Sequence, residues 1–155
     1  DLQDERMTAN YPDFTLQRLQ RKQKLLFVID ESHNLRNDKS SRYQFLVDNV
    51  LMPKRTSRDV KVLHLSATPI NNKLVDIRNQ FKLMTKGEDT GFQATDLEIS
   101  SLESIFRTAQ KDFNEWSDLH ERKISDFIAK LPQKFFALTD ALIVARTRRL
   151  IEGEF

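Results

Sequence analysis

Hydrophobic and polar positions along this 155-residue chain follow a rhythm that changes several times. Phe14, Leu16 and Leu19 give helical spacing within a polar N-terminal stretch, predicting a partial helix around residues 13–22. Lys24–Asp30 (KLLFVID) then turns into a continuous apolar run that ends in acid. Bounded by polar residues, such a run predicts a strand buried on both faces of a parallel sheet. Asn34–Ser41 is turn-like. Tyr43, Leu46, Val47, Val50 and Leu51 return to helical spacing, with Asp38, Ser40 or Ser41 as candidate caps and Pro53 just beyond the end. Val60–Ser66 (VKVLHLS) predicts a second strand. Ala67–Asn72 is a turn whose Asn71 or Asn72 can cap the helix marked by Leu74, Ile77, Phe81 and Met84. Strand, helix, strand, helix in this order predicts an α/β fold with parallel strands.

Beyond Gly91 the pattern changes character and becomes mainly helical. Leu102, Ile105, Phe106, Ala109, Phe113, Trp116 and Leu119 recur at three- and four-residue steps, and the stripe resumes at Ile124, Phe127, Ile128 and Leu131. Ser100 with Glu103 has the spacing of a capping box. The stretch predicts either one long helix or a helical hairpin, broken at Pro132, with a last helix over 133–141. Such stripes are mostly core, although Phe113 and Trp116 on a protrusion are also placed to meet a partner or DNA. The apolar Leu142–Ala145 predicts a third buried strand. We therefore expect one domain over 1–155, with 87–139 a mainly helical insertion.

Composition narrows the chemistry. The longest apolar runs, Leu25–Ile29 and Ala141–Ala145, are five residues, against roughly 20 for a membrane-spanning helix. No basic-then-apolar leader is recognisable, and the absence of cysteine excludes disulfides, thiolate metal sites and cysteine nucleophiles. We expect an intracellular protein, cytoplasmic or nucleoid-associated. A formal charge of +2 leaves nucleic-acid contact to local patches. The three glycines, Gly87, Gly91 and Gly153, stand alone, so neither the phosphate loop GxxxxGK(S/T) nor a dinucleotide GxGxxG can be written in this chain.

Two clusters carry candidate chemistry. Asp30-Glu31-Ser32-His33 follows the first predicted strand directly. Ligands of open α/β sheets bind at the carboxyl ends of strands, and adjacent carboxylates there need a cation or solvent. A nucleotide-bound Mg²⁺ is one such cation, with one carboxylate on its water shell and the next activating the attacking water. The plainer alternative is an acidic helix start. Leu65-Ser66-Ala67-Thr68-Pro69 follows the second strand, about 35 residues on, and taken alone is an ordinary hydroxyl-rich turn. His33, His64 and His120 show no ligand spacing, and His64 reads as a core residue within its strand. Ser32 and His33 do not make a hydrolase pair: neighbours on a turn point apart, and no elbow glycines flank the serine. The basic loop Lys54–Arg58 reads equally as a phosphate-backbone contact, through Lys54 and Arg55 among others, or as a solvated loop.

VIDESHNLRN (28–37) followed by LHLSATPINN (63–72) resembles helicase superfamily 2, the first stretch its motif II and the second its motif III. Asp-Glu-x-His-x-Leu-x-Asn at 30–37, Leu-x-Ala-Thr-Pro at 65–69 and Leu-x-Asp-x-x-Asn-Gln-Phe at 74–81 are more similar to SWI/SNF-type DNA translocases than to RNA helicases of the DEAD-box group. Val144–Arg149 resembles the arginine-rich segment that closes the first motor lobe there. The resemblance covers about 24–86 and 140–151. It implies a partial RecA-like P-loop NTPase lobe and, for the parent protein, ATP hydrolysis with Mg²⁺ coupled to movement on duplex DNA. Glu31 would be the general base, and Asp30 would hold Mg²⁺ through water. His33 would lie between the nucleotide and the Ser-Ala-Thr turn, with Ser66 and Thr68 linking to the nucleic-acid track. Arg146, Arg148 and Arg149 would lie near the lobe junction. Ser32 stands where that group more often has alanine. Motif I and the second lobe are not in this sequence, so the implied partners include the missing first half of the lobe and lobe 2. The chain alone is then expected to be inactive. An RNA helicase fragment, or a non-catalytic module that kept the scaffold, is the alternative.

Overall fold

A computed structural model describes residues 16–52, 59–70 and 73–145. The chain divides into two compact units, one ending at Gly91 and the other beginning at Phe92.

The first unit is built on two parallel strands, β1 (Lys24–Ile29) and β2 (Asp59–His64), in register from Lys24 opposite Asp59 to Ile29 opposite His64. Parallel strands need a crossover, and this one carries a 3₁₀ turn (Ser32–Leu35) and a helix. That helix, α2 after the short α1 (Leu16–Arg21), runs Ser41–Phe45 and widens into a π turn over Leu46–Leu51. Ser40, one of the three expected caps, accepts the Tyr43 N–H at 3.3 Å. Tyr43, Leu46, Val50 and Leu51 are buried along one side and meet Ile29, Val60 and Val62 from the sheet. Leu16 and Leu19 of α1 pack against the same cluster, and Gln20 ties α1 to the Asn49 carbonyl at 2.9 Å.

The strands are not covered on both faces as the apolar run suggests. Leu25, Phe27 and Ile29 face the core, whereas Leu26 is 62% and Val28 50% exposed. Leu63 and Leu65 join them on the open side. Within this unit the described helices pack on the face that carries Ile29, Val60 and Val62, so alternate side chains of an apolar strand remain exposed.

Helix α3 (Val75–Met84) buries Ile77, Phe81 and Leu83. The expected caps Asn71 and Asn72 lie outside the described residues, and the helix follows Leu74 without a side-chain cap. It ends in a Schellman turn, in which Lys86 N–H donates to the Leu83 carbonyl and Gly87 N–H to that of Lys82. Gly91 is required for space, because a Cβ there would stand 2.6 Å from Thr85 Cγ2.

The second unit holds α4 (Leu102–Ser117), α5 (Ile124–Lys130) and α6 (Gln133–Leu142). Of the two helical arrangements expected, the hairpin forms. Ser101, not Ser100, caps α4 by accepting the Ser104 N–H at 3.0 Å, so the Ser100–Glu103 box lies one residue out of place. Leu102, Phe106, Ala109 and Leu138 are buried, with Phe106 edge-on to Phe135 at 5.4 Å. Phe113 and Trp116 pack against Phe127, and Trp116 Nε1 donates to the Lys123 carbonyl at 2.9 Å, which ties the hairpin end. Leu142–Ala145 is not a third strand. Leu142 closes α6, whose ladder continues as Ile143 N–H donates to Thr139, and Val144 is 80% exposed. An apolar run makes a strand only beside a partner edge. No helix among the described residues is long and apolar enough to cross a membrane.

The two sheet faces are expected to respond differently to hydroxyl substitution. Val62→Thr, on the covered face, should cost about 1–3 kcal/mol in urea unfolding. Val28→Thr with Leu63→Thr, on the open face, should stay within about 0.5 kcal/mol each while lowering the binding of an exposed-surface dye.

Candidate functional site

The parallel pairing sets both strand ends at one edge of the sheet, and the two polar loops leave from there. The ladder continues one step past the strands. Leu65 N–H donates to the Ile29 carbonyl at 2.9 Å, and Ser32 N–H donates to the Leu65 carbonyl at 2.9 Å. Asp30–His33 and Leu65–Thr68 are thereby held together.

Four side chains, His33, Ser66, Ser32 and Gln80, reinforce the junction. His33 Nδ1 lies 3.0 Å from Glu31 Oε2 and 3.4 Å from Ser66 Oγ. A carboxylate only accepts, so Nδ1 carries the proton in this contact and Ser66 competes for the same N–H. His33 in that state cannot take a proton from Ser66, so the trio is not a nucleophilic triad. Ser32 is fully buried and its hydroxyl donates to Gln80 Oε1 at 2.7 Å. Gln80, also buried, donates from Nε2 to the Pro69 carbonyl at 2.8 Å. One residue of α3 thus grips the loops after both strands. Ser66 Oγ accepts the Thr68 N–H at 3.2 Å, which closes the second loop into a hydroxyl-bonded turn.

The carboxylates themselves are open to solvent. Asp30 is exposed and its Oδ1 accepts the Glu31 N–H at 2.9 Å. The Glu31 side chain is 60% exposed, on a backbone in the left-handed region at φ 51°, ψ 46°. Among the described residues no three His, Asp or Glu side chains gather to hold a metal ion. An exposed Asp-Glu pair suits Mg²⁺ only where phosphate oxygens and water complete the coordination.

Next to the junction, Tyr43 Oη donates to the Asn79 carbonyl at 2.9 Å, and Asn79 Nδ2 donates to the Arg36 carbonyl at 2.7 Å. The 3₁₀ turn is therefore held from α2 and α3 together. Arg78 and Lys82 approach Asp38 at 3.7 and 3.8 Å.

The expected residues Asp30, Glu31, His33, Ser66 and Thr68 fall on these two adjoining loops. Lys54, Arg55, Arg146, Arg148 and Arg149 lie outside the described residues. Sequence reading missed Gln80 and Asn79 as site-forming groups. Their signal was present: two amides in the middle of an amphipathic helix, with Gln80 three residues after the buried Ile77. Comparison with protein-family models, with curated proteins and with solved structures gives no match.

His64, at the end of β2, buries both ring nitrogens without a hydrogen-bond partner. Burial disfavours its charged form and lowers its pKa to about 4, with the Gln80 backbone pulling weakly the other way. The unfolded chain takes up this proton near 6.5 and the folded chain only near 4, so stability should fall as pH drops between those values. The loss should approach about 3 kcal/mol at the acid end. His64→Leu is expected to remove that loss, and urea midpoints measured from pH 7 to 4 for both proteins check it.

Proposed function

We propose that this chain forms the centre of the ATP-hydrolysing lobe of a superfamily 2 nucleic-acid motor, of the SWI/SNF-like branch that moves on duplex DNA. The observation that carries this reading is the direct joining of the two motif-bearing loops. The Asp-Glu-Ser-His turn and the Ser-Ala-Thr turn share the Ser32–Leu65 backbone bond, the His33 imidazole and the Gln80 amide. A motor needs its nucleotide chemistry and its nucleic-acid contact to feel each other, and two loops anchored to one another supply a short path.

The division of labour follows from exposure and donor type. Glu31 presents an open carboxylate able to take a proton from water attacking the terminal phosphate. Asp30, one residue back on the strand end, would hold Mg²⁺ through water. That ion, when bound with ATP, neutralises charge developing on the phosphate oxygens. His33 orients Glu31, and Ser66 and Thr68 face the nucleic-acid side of the junction. The phosphate loop cannot be written with the three glycines of this sequence, so the γ-phosphate cradle must come from elsewhere in the parent protein.

The test is Glu31→Gln in the natural gene product. Its ATP turnover should fall by about 10²–10⁴-fold while ATP binding stays within a few-fold. Duplex DNA should stimulate the wild type. Stimulation by RNA alone would favour the RNA-helicase reading. Tight DNA or protein binding by a gene product with no turnover would favour a non-catalytic module. The 155-residue chain by itself should show no Mg²⁺-dependent turnover, and measurable turnover would overturn the assignment of the missing cradle.

A further inference from the structure

Glu31 adopts a backbone conformation that a glutamate rarely takes. At φ 51°, ψ 46° its Cβ crowds the following carbonyl, and such a residue persists only where its surroundings over-determine it. On its own side of the turn the restraints are local and exposed: its N–H donates to Asp30 Oδ1, and its carbonyl accepts the Asn34 N–H at 3.0 Å. The buried restraint is the next residue, Ser32.

Ser32 is fixed at both ends. Its N–H is in the ladder to Leu65, and its hydroxyl is held by Gln80 at 2.7 Å. The Gln80 amide has no freedom to turn over. The Pro69 and Asp76 carbonyls, at 2.8 and 3.2 Å, accept only, so the NH₂ faces them and the oxygen faces Ser32. All of these contacts are at least partly enclosed, with Ser32 and Gln80 at 0% and 3% exposure.

We infer that Gln80 is a positioning residue for Glu31. Its amide, acting through Ser32, keeps Glu31 in the left-handed conformation that aims the carboxylate. The functional part of this inference rests on the reading of Glu31 as the base. Gln80 touches neither carboxylate, so it contributes geometry and not proton transfer. With the amide removed, the Ser32 hydroxyl and the Pro69 carbonyl lose their partner, and Glu31 can relax towards the right-handed region.

Gln80→Met keeps the volume and removes the bonds. In the isotope-labelled 155-residue chain, the Glu31 Cα and Cβ shifts should lose their left-handed signature. Exchange of the Ser32 amide should speed up by about 10-fold or more. In the natural gene product, kcat for ATP should fall about 10- to 100-fold with KM within about 3-fold. Ser32→Ala with Gln80→Met also removes the orphaned Ser32 hydroxyl and should regain part of the lost thermal stability, the Pro69 carbonyl still lacking its donor. It should not regain kcat, which separates positioning from simple support of the fold. The inference is overturned if Gln80→Met leaves the Glu31 signature and Ser32 protection intact, or if kcat returns with stability in the double variant. A wild-type gene product without ATP turnover would instead sink the hydrolase reading, and the spectra of the chain would then decide alone whether Gln80 holds Glu31.

Discussion

Ser32 N–H reaching the Leu65 carbonyl is one backbone hydrogen bond, yet the arrangement of the candidate site depends on it. It is the last rung of the parallel ladder, made after both strands have ended, by residues already in their loops. Parallel strands place their carboxyl ends on the same side, but pairing of the strands alone leaves loops free to splay. The additional rung makes the two loops one object. The side-chain contacts that span the two loops, His33 to Ser66 and the Gln80 amide to Ser32 and Pro69, are made at the separation that this rung sets.

The junction is polar where a small α/β unit would ordinarily be apolar. Ser32, Asn79 and Gln80 are buried, and each has its hydrogen-bonding groups matched: Ser32 to Gln80, Gln80 to Pro69 and Asp76, Asn79 to Arg36 and Arg78. A fully matched buried network specifies one arrangement, because any shift leaves a donor or acceptor without a partner at a cost of about 1–3 kcal/mol. An apolar junction of the same volume would tolerate sliding. His64, a residue away from Leu65, is the exception in this neighbourhood, with both nitrogens buried and unmatched. It stays neutral as a consequence, so the unit gives up stability in acid.

The crossover helix and α3 were legible from their helical period, the strands from their apolar runs, and the stretch beyond Ser100 as helical though not as a hairpin; the two loop clusters were legible because they directly follow apolar runs. The two strand misreadings share one cause. The run Lys24–Ile29 is composed like a strand covered twice, and Leu142–Ala145 like a strand covered at all, but composition describes what a segment can bury and not what lies beside it. The Ser100 cap failed for a smaller reason: Ser100 and Ser101 are both competent, and the one in extended backbone at the helix start takes the role. Gln80 was invisible to a search for charged or metal-binding clusters. It is neutral, its partner Ser32 lies 48 residues away, and only the fold brings them together.

Leu65 connects the site to the open face of the sheet. Its backbone joins both loops, through the N–H to Ile29 and the carbonyl from Ser32, while its side chain is 46% exposed, on the same face by strand alternation as Leu63, Val28 and Leu26. Those four side chains form an apolar strip on strands whose other face is already core. Covering a side chain of this kind is worth about 1.5–3 kcal/mol when complete. That energy would be delivered to the residue on which the Ser32 rung is built. Leu65 thus gives its backbone to the joined loops and its side chain to the exposed face of the sheet.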